Sequence, residues 1–471
     1  MWLGSLKEAE GYARAAVRGS LWLHSSHPIR MRSLQVLSSA LRLQGEWEKA
    51  ERMQEKVVRN HERFFGADNS NTLQARGELS ELHISQDHWT IAEEILREVY
   101  PLAVGILGHN DPDTLQYMVQ YGRTLNCLGR YEEAGAILTD ASARAEASLG
   151  SENYTTTVAK FWLASTHRKQ GHLCKAGELL TDVLNIETNR YGEDSEKLHA
   201  AKVELALTYL ASNSHSKVEE AVELLGDVTE TCRSHAGNCI PLQLSYTAQY
   251  AAALAKLGEY TEAEELARMV LKKCERQLGS DSPKTVSSLE TLADILISQG
   301  KLFEAEALEG RALKLRQTVL QKDDSHLFCT MRILASIWCS LGRVEEAKKL
   351  QRKAQKRCKR IFGVGHPETL SGARNLVKIC ITRGDFSEAE TVQLRVIREQ
   401  LRQPDVDSLQ MVDDARRLMF IYSQQGRVED MKAVRSRLLE RTENLSGELR
   451  SQALEKASTP CNPAVASSGG I

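Results

Sequence analysis

One spacing constrains this chain more than any other feature: a turn residue followed five positions later by alanine returns every 42 residues. The pairs are Gly45 and Ala50, Asp87 and Ala92, Gly129 and Ala134, Gly171 and Ala176, and Ser216 and Ala221. They continue with Gly258 and Ala263, Gly300 and Ala305, Gly342 and Ala347, Gly384 and Ala389, and Gly426 with Met431. Only the step from Gly171 to Ser216 is longer, by three residues that fit in the turn at 212–215. A period of this size marks a solenoid whose units pack only on their neighbours. One elongated array can therefore run the whole length, although 471 residues would ordinarily suggest several domains.

Positions counted from the turn residue assign the roles. Eight before it stand Leu37, Leu79, Tyr121, Leu163, Tyr250, Leu292, Leu334, Leu376 and Leu418, with Leu205 in the unit that carries the insertion. The residue after these is small in most units, as in Ser38, Gly122, Ala164 and Ala335. A large residue followed by a small one admits a second helix at close range, and the alanine after the turn does the same from the other side. Twenty-one residues after the turn comes glycine in seven units, Gly66, Gly108, Gly150, Gly192, Gly237, Gly279 and Gly363. It is expected just past the end of the second helix in left-handed geometry. Proline at 28, 112, 241, 283 and 367 belongs in the first turn of the next helix, where its missing N–H costs nothing. The reading is all-α, with antiparallel helix pairs.

Composition removes several classes of function. A formal charge of −2 gives no general attraction to nucleic acid or an acidic membrane. No stretch reaches the length of a membrane span, and acidic residues sit near the start where a secretory signal would be apolar. The ten cysteines show no CxxC, so a reducing compartment, cytoplasmic or nuclear, is expected. Cys232, His235 and Cys239 lack a second ligand pair, and His83 and His167 share a core position; neither set is read as a metal site. There is no phosphate-binding glycine loop with lysine, no HExxH and no nucleophile elbow, so neither a catalytic residue nor a cofactor is expected.

Large and small residues in the first helix, glycine at the turn and alanine five later resemble the tetratricopeptide repeat. The linkers Leu107-Gly-His-Asn-Asp-Pro-Asp-Thr-Leu115 and Phe362-Gly-Val-Gly-His-Pro-Glu-Thr-Leu370 are similar to those of its kinesin-light-chain-like subtype. The resemblance implies a right-handed superhelical solenoid of about ten helix pairs, with the first helices lining a concave groove. It implies a non-catalytic scaffold that binds a peptide or helical segment of a partner. The subtype also serves as the C-terminal sensor array of NACHT- or NB-ARC-type signalling ATPases and as the cargo adaptor in kinesin light chains. Both remain alternatives. The expected division is a half-repeat or capping helix over 1–26, the array over 27–443, and a capping helix with a disordered tail over 444–471.

Helical periodicity puts the positions 13, 10, 9, 6 and 2 before the turn on the groove side. Ten before it, the last three units carry Arg332, Arg374 and Arg416, an arginine ladder suited to an acidic ligand. Lys378, Arg417 and Asn375 fall on adjacent lining positions. Local pairing with Glu290 and Asp413 is the competing use of these cations. Asn375 alone keeps the amide that the resembled family carries nine before the turn, which puts that family's peptide preference in doubt. Phe161 and Trp162 are candidates for an apolar anchor in mid-groove.

Overall fold

A computed structural model describes residues 2–24, 27–44, 46–86, 88–191, 195–212, 214–234, 240–318, 325–402 and 408–443. The calls on Gly45, Asp87, Gly192, His235, Gly237, Cys239 and the segment 444–471 lie outside them. All described elements are helices. After α1 (Trp2–Gly19) come ten pairs. The first helices are α2 (Pro28–Leu43), α4 (Ser70–Ser85), α6 (Pro112–Cys127), α8 (Tyr154–Gln170), α10 (Glu196–Ala211), α12 (Ile240–Leu257), α14 (Pro283–Ser298), α16 (Ser325–Ser340), α18 (Pro367–Arg383) and α20 (Ser408–Gln424). The second helices are α3 (Trp47–Phe65), α5 (Trp89–Leu107), α7 (Tyr131–Leu149), α9 (Leu173–Tyr191), α11 (His215–Ser234), α13 (Tyr260–Leu278), α15 (Leu302–Thr318), α17 (Val344–Phe362), α19 (Phe386–Gln400) and α21 (Val428–Glu443). They form two compact units, Met1–Ile240 and Pro241–Ile471.

The linker motif acquires a physical reading. Proline opens α2, α6, α14 and α18 as expected, and Asp111 caps α6 by accepting the Asp113 N–H at 2.9 Å. The end glycine differs in one respect from the left-handed cap expected. Gly66 has φ 84 but ψ 167, an extended conformation that only glycine enters cheaply, while its N–H still closes on Glu62 O. The turn glycine Gly384, with φ 85 and ψ 9, is the left-handed one. The threonine of the linker, unassigned by sequence reasoning, ties the two helices together. Thr72, Thr156, Thr285 and Thr369 each donate a hydroxyl to the end-glycine carbonyl six residues back, at 2.7–2.8 Å.

The alanine after the turn is 0 % exposed in all nine units that have it. At Gly122 a Cβ would lie 2.5 Å from the Leu138 side chain, so the small position there is a contact between helices and not an idle one. The three-residue insertion does not lengthen the loop. α11 begins at His215, one turn earlier relative to its buried Ala221 than α7 begins relative to Ala134. Extending a helix satisfies the added backbone groups internally, whereas a longer loop would leave them to solvent. Successive first helices touch, α4 with α6, α6 with α8, α8 with α10, and α16 with α18; no two second helices pack to that degree among the described residues. First helices therefore form a wall within each unit.

Two polar devices join one pair to the next. In the first, Gln54, Gln351 and Gln393 donate from the second helix to the backbone carbonyls of Ala75, Gly372 and Asp414, at 2.8–2.9 Å. Glu309 of α15 holds the same place, 0 % exposed, with both carboxyl oxygens shut away from water and from any acceptor or donor. Burial, reinforced by Glu290 and Asp294 and opposed by Arg316 and Arg332, pushes its carboxyl up to about 9. A neutral acid can donate as glutamine does; a carboxylate cannot. In the second device, the cation after one turn reaches the acid of the preceding second helix: Arg130 to Glu93, Lys301 to Glu264, Arg343 to Glu306 and Arg427 to Glu390. Between α17 and α19 the signs are exchanged, with Lys348 reaching Asp385 (2.6 Å) and Glu388 (2.7 Å).

Two outcomes follow from these joints. Because the folded pKa of Glu309 lies above its value of about 4.5 in the unfolded chain, it costs stability as pH rises from there. Glu309→Gln should melt like the parent near pH 4 and increasingly above it as pH rises, the gap ceasing to widen near pH 9. Parallel melting profiles would show that Glu309 ionises normally. In a double-mutant cycle, Lys348→Ala and Asp385→Ala should together cost less in chemical denaturation than the sum of their separate losses, since Lys348 is 4 % exposed. Additive losses would show that the pair does not act together.

Candidate functional site

The wall of the second unit is made by α14, α16, α18 and α20, and its polar side chains fall into two sets. On α16 and α18 the position nine before the turn is not the lining position expected: Ile333 is 5 % and Asn375 8 % exposed, whereas Val36 at the same place on α2 is 52 % exposed. Asn375 is a strut there. Its Nδ2 donates to Arg332 O (3.2 Å) and Gln351 Oε1 (3.1 Å), and its Oδ1 accepts from Ser336 Oγ (3.0 Å).

The arginine ladder is partly spent inside the protein. Asp414, 0 % exposed, accepts from Arg374 Nε at 3.0 Å, from Arg417 Nη1 at 2.6 Å and from Gln393 Nε2 at 3.0 Å. Gln400 closes the ring once its amide is turned so that each end meets a complementary partner, the nitrogen 2.9 Å from Asp414 Oδ2 and the oxygen 2.7 Å from Arg374 Nη2. A buried carboxylate needs several donors to remain charged, and two guanidinium groups and two amides supply them. Asp414, not Asp413, is thus the partner of Arg417. Asp413 pairs with Arg416 at 3.6 Å. Glu290 turns away from Arg332: it takes the buried Arg316 in a two-pronged pair at 2.7–2.8 Å and the Thr330 hydroxyl. Sequence reasoning missed Asp414, Gln393 and Arg316. The recurring glutamine nine after the turn was the signal that could have found the first two.

Arg332 and Lys378 are left over. Arg332 donates to Cys329 Sγ at 3.2 Å, while its Nε is closed off without a partner. The Lys378 ammonium has no hydrogen bond or ion pair among the described residues. Burial, then the positive charges of Arg417 and Arg332, push its pKa down, and Asp413 only partly offsets them. The wall across α16, α18 and α20 therefore carries Arg332, Arg374, Lys378, Arg416 and Arg417 against Asp413, Asp414 and, near Arg332, Glu368. On α14 the sign differs: burial and the nearby Glu290 push Asp294 up to about 7.

Phe161 and Trp162 belong to the other unit. Their rings meet edge to face at 5.4 Å. Phe161 packs against the core of Ala164, Leu180 and Leu205, and Trp162 against that of Met118, Leu138 and Leu163. The Arg123 guanidinium lies 5.0 Å from the Trp162 ring and pairs with Glu81 at 3.6 Å. Both rings are half-buried by their own unit. His83 is 4 % exposed and stands 6.0 Å from His88, and His167 stands 5.6 Å from His172. Among the described residues no three His, Cys, Asp or Glu side chains are placed to hold a metal ion.

The tetratricopeptide repeat family model matches residues 29–104, 243–318 and 326–398. A search of curated proteins gives no match. Among solved structures, a single-substitution form of a Podosopora anserina putative kinesin light chain with nearly identical TPR-like repeats is 26 % identical, covering 44 % of this chain and 96 % of that one, with a TM-score of 0.37. BtubC (BKLC) from P. vanneervenii is 15 % identical over 50 % of this chain and 93 % of that one, with a TM-score of 0.42. A Rap protein complexed with competence and sporulation factor is 15 % identical, covers 76 % of this chain and 99 % of that one, and has a TM-score of 0.51, a likeness of fold alone. With helix pairs, turn glycines and buried alanines at the places the repeat requires, the chain carries tetratricopeptide repeats over the matched residues.

Proposed function

We propose that the protein is a non-catalytic scaffold that holds a peptide or helical segment of a protein partner against its first-helix wall. In the second unit the segment presents an acidic side chain to Lys378, flanked by Arg332 and Arg416. The single observation that carries this reading is Lys378, a half-buried cation with like charges around it, Asp413 offsetting them only in part, and no ion pair of its own among the described residues. An incoming carboxylate would relieve that repulsion in a partly dehydrated setting, where a charged hydrogen bond is strong. Arg374, Arg417 and Asn375 hold the wall in shape and are not the ligand's first contacts. Phe161 and Trp162 offer only their uncovered edges, as a secondary apolar contact in the first unit.

A reducing, cytoplasmic setting belongs to the same proposal. One further observation supports the reading. The solved Rap protein holds a separate molecule, its competence and sporulation factor, on a fold of this kind.

Panning a random peptide library against the protein should enrich segments rich in aspartate and glutamate. Their binding should weaken as salt rises and fall roughly tenfold or more with Lys378→Glu, a change worth about 1.4 kcal/mol. Arg352→Glu, on the outer face of α17, should leave it unchanged. Binders without acidic residues, or indifferent to Lys378→Glu, would remove the basic wall from the account.

A further inference from the structure

The position six before the turn forms a column of side chains along the first-helix wall of the second unit. From α14 to α20 it reads Asp294, Ser336, Lys378 and Phe420. Helical register puts the four on the same face of successive first helices. Two of them have internal partners: Ser336 donates to Asn375 at 3.0 Å, and Phe420 packs against the core of Leu376, Val377 and Ile421. The other two are charged, opposite in sign, and two helices apart in the wall. Asp294 is half-buried and, like Lys378, has no internal mate. Its Oδ1 is closed off from water without a donor, and its carboxylate forms no ion pair among the described residues. Glu290, one turn earlier on α14, is spent on Arg316 and Thr330. Around Asp294 stand Glu290 on its own helix, Glu309 on α15, Arg332 on α16 and Lys256 on α12. The two cations act on it only through space. Burial, then Glu290, outweighs their help, and the carboxyl is pushed up to about 7.

Resting on the reading of Lys378 given above, we propose that Asp294 is a second subsite of the same groove and takes a basic side chain of the bound segment. A lysine or arginine brought there supplies the donor that the carboxylate lacks, in a setting where a charged hydrogen bond is strong. The two subsites together fix spacing and direction. Neighbouring first helices lie roughly 10 Å apart, so Asp294 and Lys378 are separated by on the order of 20 Å. An extended segment covers that distance in about six residues. The ligand therefore carries a basic and an acidic residue at that separation, and running it the other way sets like charge against like at both ends. A uniformly acidic segment is disfavoured too, because its far end would meet Asp294 with Glu290 behind it.

The probe is the random peptide library, panned in parallel against the full chain, Asp294→Asn and Lys378→Glu. Peptides enriched by the parent should carry a basic residue about six positions to one constant side of the acidic one. Asp294→Asn should keep the acid and lose the basic residue, and Lys378→Glu should do the reverse. Asparagine matches aspartate in size and no internal pair is lost, so the melting temperature of Asp294→Asn should not fall. In one enriched peptide, made with a fluorescein label, replacing the basic residue by glutamine should weaken binding to the parent roughly tenfold, about 1.4 kcal/mol. The same replacement should leave binding to Asp294→Asn unchanged. In the parent the difference should grow from about pH 6 to about pH 8, as Asp294 gives up its proton. Basic residues at no constant distance from the acid, or retained by Asp294→Asn, would overturn the proposal while the Lys378 reading stands. A basic residue lost with Asp294→Asn, in peptides that carry no acid, would retire the Lys378 reading and leave this subsite in place.

Discussion

Everything in this protein depends on how closely two helices can approach at the alanine after each turn. A methyl group at 0 % exposure leaves no room for a larger side chain, and its partner position one helix away is serine, glycine or alanine in most units for the same reason. Close approach at that point fixes the tilt of each pair, and the tilt fixes where the next pair must begin. The linker is then a length constraint: proline starts the helix, glycine ends it in an extended conformation, and a threonine hydroxyl spans the gap between them. That is why the period holds through substitutions at almost every other position. It is also why the insertion before Ala221 became an extra helical turn while the buried alanine kept its place.

Charge is distributed over that frame by a simple division. Carboxylates that lie inside the stack, Asp414 above all, are supplied with donors from the neighbouring helices. In being supplied they consume arginines that would otherwise face solvent. The cations between successive turns are spent likewise on the acids of the preceding pair. Where a position calls for an amide and the chain supplies Glu309, burial keeps the group neutral. What these pairings leave is a small remainder on the wall of α16, α18 and α20, and a binding surface is best sought in that remainder. The number of basic residues along a helix face says little by itself; the number left after internal carboxylates have been served is the relevant quantity.

Much of the fold was legible because its determinants are local. The spacing of Gly and Ala, the linker proline and the large-small step each act within one pair, and one pair can be read from about forty consecutive residues. The site was legible only in part, for a reason that is also physical. Whether Arg374 is free depends on Asp414, forty residues away and on the next first helix, and on Gln393 behind both. A helical wheel cannot show that Asn375 faces a neighbouring helix and not the groove, since it records direction without neighbours. Sequence spacing offered Asp413 as a local partner for both Arg416 and Arg417, whereas Arg417 pairs with Asp414, buried beneath it.

The division between spent and unspent cations is open to direct measurement without any ligand. Competitive labelling of lysine amines across a pH series, read by mass spectrometry, reports the titration of each ammonium separately. Burial pulls Lys348 down, but Asp385 and Glu388 outweigh it and hold its pKa above the ordinary 10.5, whereas burial and two guanidinium neighbours hold Lys378 below it. The account predicts that Lys378 titrates below 10.5 and Lys348 above it in the same sample. Titration of Lys378 at or above that value would mean that an internal carboxylate already serves it, and the basic wall would lose the charge on which its proposed role rests.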